Sequence, residues 1–331
     1  MQRRAFLSCL GLGLGTVATS ATPAGASLGR ATRLEPVARL AATGARWAGH
    51  VPGRIYLGMS TAGSIEQAEQ QTGRVGLNRT FSSWGNADGE DRQIRADHSS
   101  GRLPWISFKP PASTSGMWSS IAAGRYDGDI RARARRYAGY SAPVIVTFNH
   151  EPQTDTQVGS PAEFAAAWTR IYDVWESETG LRNVAFAPII GEWVFNPVNR
   201  TEDPAQYLPQ AVLRRMAFLG VDLYQNPSGD DYATRLDRVI GFLDNQGRTE
   251  MMVGVGETGC SDYYAGSAAD WWTRSWQWAA SHADRIGAIS YFNSSRNSRS
   301  GVDWRLDESM SKLNAFRASL DSAVSCRLAV G

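Results

Sequence analysis

The chain has 331 residues, with 34 Lys and Arg against 32 Asp and Glu and a formal net charge of +2. Arg3 and Arg4 precede a short apolar run and the small residues 24–26, a layout typical of a twin-arginine secretory signal over residues 1–26. That segment holds two arginines and no acidic residue, so the mature chain carries 32 charges of each sign. A neutral balance argues against nucleic acid or an anionic surface as a partner.

The first apolar run is too short to span a bilayer, so we expect no membrane association once the signal is removed. The remaining residues, about 305, suit one α/β barrel or two small domains. No repeat, low-complexity tract or linker divides them. The sequence therefore predicts one domain over residues 27–331, secreted and monomeric.

Eight short apolar segments recur along the chain, and several are continuously apolar, as is typical of strands covered on both faces. The predicted strands are Arg54–Ser60, Gly76–Ser82, Leu103–Lys109, Pro143–Asn149, Val184–Ile190, Phe218–Tyr224, Met251–Gly256 and Ile286–Phe292.

Helix signals lie between most of the strands. Ser160, Pro161 and Glu163 form an N-cap, a first-turn proline and a capping-box carboxylate. The weakest helix signal is between the second and third strands, over residues 84–101. Strict alternation through eight units favours a single (β/α)₈ TIM barrel. A doubly wound open sheet is the alternative, but no glycine-rich phosphate turn follows the first strand.

Catalytic residues of such barrels lie at the carboxyl ends of the strands. Glu151 follows the fourth predicted strand and Glu257 follows the seventh, across the mouth of the barrel from each other. Two facing carboxylates are what glycosidic cleavage needs, one protonated to donate to the leaving oxygen and one ionised to attack the anomeric carbon. A single Glu at a strand end more often caps a helix or pairs with an arginine.

Three motifs resemble those of glycoside hydrolase family 26, whose members are retaining (β/α)₈ hydrolases. Residues 147–152 (Thr-Phe-Asn-His-Glu-Pro) resemble the strand-four motif, 220–224 (Gly-Val-Asp-Leu-Tyr) the strand-six motif, and 256–259 (Gly-Glu-Thr-Gly) the nucleophile motif. The start of the barrel, residues 55–60, is also similar. The resemblance implies an endo-β-mannanase-like enzyme with Glu151 as acid/base and Glu257 as nucleophile.

The same resemblance implies that His150 binds the sugar at the point of cleavage and that Tyr224 orients the nucleophile. Two departures bear on the substrate. Pro152 and Gln153 follow His-Glu, where the family usually has Met and a small polar residue. The eighth strand ends without the usual Trp, a place that Phe292, Tyr291 or Trp304 would take.

Twelve tryptophans are a high count, and some of them fall on predicted loops at the mouth. Trp84, Trp193 and Trp304 are therefore candidates for stacking against a sugar face, with core packing as the plain alternative. The implied substrate is a polysaccharide or oligosaccharide, with β-1,4-mannan first and β-1,3-xylan or mixed-linkage β-glucan next.

No cofactor or metal is implied, since the four histidines show no paired metal-ligand spacing. From the barrel geometry we expect the two carboxyl groups to stand about 5–5.5 Å apart and the product to keep its β configuration.

Two other functional hypotheses remain open. One is a metal-dependent hydrolase using His150, Glu151 and Asp155, and the other is a carbohydrate-binding barrel without catalysis. A serine nucleophile has little support, because no Gly-x-Ser-x-Gly motif occurs. Cys260 and Cys326 are expected at opposite ends of the barrel, which predicts two free thiols.

Overall fold

Parallel strands alternate with helices along the chain. The computed structural model describes residues 45–199, 201–226, 230–264, 266–296 and 302–329, so the predicted signal segment lies outside the described residues. The strands are β1 (Ile55–Thr61), β2 (Leu77–Ser82), β3 (Leu103–Phe108), β4 (Val144–Phe148), β5 (Val184–Phe186), β6 (Ile189–Gly191), β7 (Leu219–Asp222), β8 (Val253–Thr258), β9 (Ile286–Asn293) and β10 (Ser325–Cys326).

Helices follow most of these strands and cover the outside of the sheet. In the described ranges they are α1 (Ile65–Thr72), α2 (Ala87–Ser99), α3 (Met117–Ala122), α4 (Asp127–Ala138), α5 (Pro161–Thr179), α6 (Pro204–Tyr207), α7 (Gln210–Leu213), α8 (Tyr232–Asn245), α9 (Ala268–Ser281) and α10 (Met310–Leu320). None of the helices described here is long and apolar enough to cross a membrane.

The sheet runs in the order β5-β4-β3-β2-β1-β9-β8-β7-β6, and every pairing is parallel. Its two outer segments, β5 and β6, are halves of the one predicted strand Val184–Ile190, separated by Ala187 and Pro188. The first half pairs with β4 and the second with β7, so this interrupted strand joins the two ends of the sheet. Eight strand positions result, and the predicted (β/α)₈ barrel is confirmed.

The interruption of the fifth strand has a local cause in Pro188. Proline has no N–H to give to a sheet, so Pro188 cannot donate a ladder hydrogen bond. The carbonyl of Pro188 still accepts from the N–H of Gly220 at 2.8 Å. The sequence pattern did not reveal this break, because the segment is apolar throughout.

Local signals set the helix boundaries as predicted. Ser160 and Glu163 form a complete capping box at the start of α5, and Gly180 ends the helix in a left-handed conformation at φ 65°. The weakly predicted segment 84–101 contains the helix α2. Cys260 is buried and Cys326 is half-buried, and both are free thiols, as predicted.

Candidate active site

Glu257 lies in β8, close to its carboxyl end, and two side chains hold its carboxylate. Arg79 Nη2 donates to Oε1 at 3.1 Å, and the Tyr224 hydroxyl donates to Oε2 at 2.6 Å. The glutamate side chain is 13% exposed, so the carboxylate is reachable from the mouth. Because each oxygen has its own donor, the orientation of the carboxylate is fixed as well as its charge.

Arg79 reaches Glu257 from β2, on the far side of the barrel interior. Its side chain is fully buried, its Nη1 donates to Ser107 Oγ at 2.8 Å, and its guanidinium carbon lies 4.8 Å from the Phe81 ring centroid and 5.4 Å from that of Trp105. A buried guanidinium needs a counter-charge, and Glu257 supplies it. The ion pair therefore gives the buried guanidinium its counter-charge and orients the Glu257 carboxylate.

Tyr224 remains a hydrogen-bond donor over the whole physiological pH range. Burial first, and the negative charge of Glu257 second, raise the pKa of its hydroxyl well above the usual value. The ring lies against Phe292 and Trp304, with centroids 6.0 Å and 5.0 Å away. These contacts fix the ring, so that the hydroxyl points at Glu257.

Asp222 is a third acidic residue at the same place. It is the last residue of β7, pairs with Glu257 after a shift in the strand register, and is 5% exposed. Both carboxyl oxygens of Asp222 are buried without a hydrogen-bond partner. Burial, and then the charge of Glu257, raise the pKa of Asp222 well above its usual range. Asp222 therefore keeps its proton where an exposed aspartate loses it.

Glu151 lies at a turn directly after β4. Asn149 and Glu151 both adopt left-handed backbone conformations, at φ 45° and φ 50°. The N–H of Glu151 donates to Ile189 O at 2.9 Å, and its carbonyl accepts from the N–H and the hydroxyl of Thr154 at 2.9 and 2.8 Å. A non-glycine residue in this region costs roughly 1 kcal/mol or more, and such strain is concentrated at functional sites.

Asp155 ties this turn to the neighbouring strand β3. Its Oδ2 accepts from Asn149 Nδ2 and from Lys109 Nζ, both at 2.9 Å. Lys109 also approaches the carbonyl of His150 at 3.5 Å. The residues on both sides of Glu151 are thus anchored, and we call Asn149, Asp155 and Lys109 the turn clamp.

His150 lies between the turn clamp and Arg79, and its ring is 5.2 Å from that of Phe81. Burial, followed by the positive charges of Lys109 and Arg79, lowers the pKa of His150 well below its usual value. The imidazole is therefore neutral at neutral pH. A neutral ring is able to donate one hydrogen bond and accept another, which suits a sugar hydroxyl.

Glu151 and Glu257 both exert an electrostatic influence on the same two neighbouring residues. The charges of both Glu151 and Glu257 raise the pKa of Asp222 and of Tyr224. The structure thus brings Glu151, Glu257, His150 and Tyr224 into one site at the carboxyl ends of the strands. No group of three His, Cys, Asp or Glu side chains with metal-ligand geometry occurs among the residues described.

The aromatic residues expected to stack on sugar separate into two sets. Trp193 is 42% exposed and offers a free face at the rim, as a stacking residue needs. Phe292 and Trp304 are only 9% and 6% exposed and pack against Tyr224. Their burial does not fit the predicted stacking role, because both rings pack against Tyr224 inside the protein.

Trp84 is half-buried beside the rim. Its Nε1 donates to Asp129 at 3.0 Å, and its ring packs against Phe108 and Tyr126. Trp84 therefore supports the loop after β2 in this structure.

Sequence reasoning missed Arg79, Asp222 and Phe81. Asp222 lies within the motif at residues 220–224, but an aspartate at a strand end, two residues before a tyrosine, has no evident role in the sequence. Arg79 and Phe81 are two residues apart on β2, so their side chains point to the same face. The signal available in the sequence was an arginine within a strand predicted to be buried. Because the chain contains many arginines, Arg79 did not stand out among them.

No family model and no curated protein matches the chain. Solved structures match its fold. The catalytic domain of an endo-β-1,4-mannanase of glycoside hydrolase family 26 from Bacillus sp. is 16% identical, with a TM-score of 0.58 over 84% of this chain and 89% of that one. A family 26 protein from Muricauda sp. is 14% identical, with a TM-score of 0.58 over 83% and 87%.

A fungal β-1,4-galactanase is 16% identical, with a TM-score of 0.57 over 80% of this chain and 99% of that one. The structures that this chain resembles are thus family 26 mannanases and related barrel hydrolases. At these identities the likeness establishes the architecture: the chain has the (β/α)₈ fold that these glycoside hydrolases share.

Proposed function

We propose that the protein is a retaining endo-β-glycosidase in which Glu257 is the nucleophile and Glu151 the acid/base. The observation that carries the proposal is the setting of Glu257, a partly accessible carboxylate held by Arg79 and Tyr224 in a site that also contains Glu151. A structural glutamate has no need of two donors that leave it open to the mouth of a barrel.

The proposed reaction has two steps. In the first, protonated Glu151 gives its proton to the glycosidic oxygen while a carboxylate oxygen of Glu257 attacks the anomeric carbon. The bond to the leaving sugar breaks, and a covalent glycosyl-enzyme forms. In the second, Glu151 takes a proton from water, and the water oxygen displaces Glu257 with retention of the β configuration.

The surrounding residues have distinct parts in this scheme. Tyr224 and Arg79 hold Glu257 on line with the anomeric carbon, and a protonated Asp222 adds no second negative charge beside it. Neutral His150 binds a hydroxyl of the sugar at the cleavage point, and Trp193 stacks on a neighbouring sugar.

We propose β-1,4-mannan as the first substrate, with β-1,3-xylan and mixed-linkage β-glucan next. The endo-β-1,4-mannanase from Bacillus sp. supports this order, as do the three motifs. We further propose that residues 1–26 direct export by the twin-arginine route and that the mature chain, residues 27–331, acts as a monomer without a cofactor.

A glycan panel tests the proposal directly. The mature protein is incubated with mannan, xylan, β-glucan and galactan, and the products are sized and followed by NMR. We expect shorter oligosaccharides from one β-linked polymer, with the β anomer appearing first. An α-configured first product implies that water attacked directly, which requires carboxyl groups about 6.5–9.5 Å apart. That outcome contradicts the retaining mechanism.

Azide separates the two catalytic roles. Glu257→Ala abolishes turnover of every substrate, whereas Glu151→Ala still forms the glycosyl-enzyme from substrates with a good leaving group. Azide then rescues Glu151→Ala and gives a glycosyl azide of retained configuration. Rescue of Glu257→Ala with inversion instead would show that the two assignments are exchanged.

A chelator distinguishes this reaction from metal-dependent hydrolysis. Turnover is expected to survive excess chelator and dialysis, because carboxyl groups carry both proton transfer and nucleophilic attack. Loss of turnover on chelation, with recovery when zinc is added, favours the metal-dependent hydrolase. Glycan binding without turnover favours the non-catalytic carbohydrate-binding barrel.

A further inference from the structure

A polar pocket opens beside the candidate active site, around the carboxyl half of β2. It has a volume of about 490 Å³. Its walls are the end of β1, the carboxyl half of β2 and the first turns of α1 and α2. This volume is within the range of small-ligand sites, which is roughly 300–1,000 Å³.

The pocket adjoins the catalytic cleft at Arg79 and Phe81, which are also part of its lining. Arg79 and Phe81 face the barrel interior, where Arg79 meets Glu257. Asn78, Thr80 and Ser82 face the other way, and Asn78 Nδ2 bonds Asp97 of α2 at 3.0 Å. A polysaccharide main chain lying between Glu151 and Glu257 therefore runs along the inner face of β2, and the pocket extends from Arg79 and Phe81 to the outer face of the strand.

The charges that line the pocket are already neutralised. Glu66 pairs with Arg102 at 2.8 Å, Glu90 with Arg133 at 3.0 Å, and Arg79 with Glu257 at 3.1 Å. A uronic acid or phosphate would find no uncommitted cation among these groups. The other polar lining groups are hydroxyls and amides, which suit a neutral, hydroxyl-rich ligand: Thr61, Ser64, Thr80, Asn86 and Gln93.

Phe81 forms the rim that joins pocket and cleft. Its ring is 45% exposed, an unusual degree for an aromatic residue at a strand end. Arg79 lies 4.8 Å from its centroid and His150 5.2 Å away, so the ring is held from the catalytic side. An exposed, fixed ring is a stacking surface for the C–H face of a sugar.

We propose that this pocket binds a neutral sugar branch carried by the main chain of the substrate, with Phe81 as the ring over which the branch passes. The inference rests on the proposed function and deepens it, because it assigns the enzyme a branched glycan as its preferred substrate class. The main chain occupies the cleft, and the branch crosses the end of β2 to meet the pocket hydroxyls and amides.

Two exposed glycines provide a matched pair of variants. Gly63 lines the pocket, and an added Cβ there meets only Gln67 Oε1 at 3.8 Å. Gly85 lies on the neighbouring loop outside the lining, with nothing within 4 Å of an added Cβ. Gly63→Trp therefore fills the pocket mouth, and Gly85→Trp adds the same bulk beside it.

The first measurement compares kcat/KM on bare and branched versions of each main chain that the enzyme cleaves, for example mannan and galactomannan oligosaccharides. We expect the unmodified enzyme to prefer the branched form. Gly63→Trp should lower kcat/KM for the branched form by about tenfold, the loss of one stacking and one hydrogen-bond contact, and leave the bare form unchanged. Gly85→Trp should change neither. An equal loss on both forms, or no preference in the unmodified enzyme, overturns the proposal.

A binding measurement separates this inference from the proposed function. Calorimetry on the Glu257→Ala variant compares its affinity for bare and branched oligosaccharides without turnover. Preferential binding of the branched form, removed by Gly63→Trp, supports the pocket even if no glycan is cleaved by the unmodified protein. Equal affinity for both forms overturns the pocket proposal even if the protein is a glycosidase.

Discussion

The two candidate catalytic glutamates lie on different kinds of backbone. Glu257 lies in a regular strand, and side chains from β2 and the end of β7 hold its carboxylate at both oxygens. Glu151 lies at a turn with left-handed backbone, and its main chain is bonded to Ile189 and Thr154. The contacts of Glu257 fix its carboxylate, and those of the turn fix the main chain of Glu151.

The difference matches the chemistry proposed for each residue. A nucleophile has to stay ionised and point in one direction, which requires a cation and a directed donor. An acid/base residue has to change its protonation state in every cycle. The left-handed turn fixes where the main chain of Glu151 lies.

The largest expected effect comes from Arg79→Met. Removing the guanidinium leaves Glu257 buried without its counter-charge, so kcat should fall by about 10²–10³-fold, as on loss of a preorganised charge-stabilising donor. Arg102→Met is the control for kcat on unbranched substrates, because Arg102 is equally buried and its partners Glu66, Glu69 and Asp97 are not in contact with Glu257. It should lower the melting temperature and spare the kcat of the folded enzyme. If kcat fell equally in the Arg79 and Arg102 variants, the role of Arg79 would be structural and not specific to Glu257.

Tyr224→Phe should have a smaller effect. A hydrogen bond to a charged group is worth about 1.5–3 kcal/mol, so we expect kcat to fall roughly 10–100-fold with little change in KM. Tyr56→Phe serves as the control, since its hydroxyl bonds the carbonyl of Gly49 at 2.8 Å instead. If the Tyr56 variant lost as much kcat as the Tyr224 variant, the contact with Glu257 would have no special role.

The barrel was predictable because its signals are local and repeated. Strand–helix alternation, the Ser160 capping box and the apolar β4 segment each follow from neighbouring residues. Glu151, Glu257, His150 and Tyr224 followed from strand ends and motifs. The structure brings these four together, while their roles remain proposals.

The environment of Glu257 was not predictable, because it depends on residues distant in sequence. Arg79 stands far from Glu257 in the chain, and nothing local distinguishes it from the other arginines. The burial of Trp304 under Tyr224 is likewise a tertiary contact, so its position on a loop indicated an exposure that it lacks.

The turn clamp gives a third prediction, directed at Glu151. Lys109→Met removes the contacts to Asp155 and His150 and loosens the turn, so cleavage of natural glycans should slow by about tenfold, a fraction of full acid–base catalysis. Activated aryl glycosides need little protonation and should show no comparable loss in the first step. The control is Arg131→Met, which removes an exposed pair with Asp127 at 3.4 Å. Equal slowing on both substrate types would contradict a role through Glu151.

The smallest expected effect is on stability, through Asp222→Asn. Its pKa in the folded protein lies well above the ordinary 3.8, owing first to burial and then to Glu257. Above pH 3.8 the unfolded chain has released this proton while the folded chain keeps it. The free energy of unfolding therefore decreases as the pH rises from there toward the raised pKa. Asparagine does not ionise, so the variant escapes this loss. Its melting temperature should equal that of the unmodified protein near pH 4 and exceed it by a few degrees at neutral pH.

Asp231→Asn is the matched control because its pH dependence has the opposite sign. Asp231 caps α8 and accepts from the N–H of Thr234 at 2.7 Å, and this bond lowers its pKa below 3.8. Its stabilising charge is present above the unfolded pKa and is lost as the pH falls through the folded value. Asparagine is also a good N-cap, so the variant loses only the charge and should melt slightly lower at neutral pH, with the difference vanishing in acid. If the melting-temperature differences of both variants changed in the same direction with pH, the effect at Asp222 would reflect net charge. The proposal of a buried proton beside Glu257 would then be wrong.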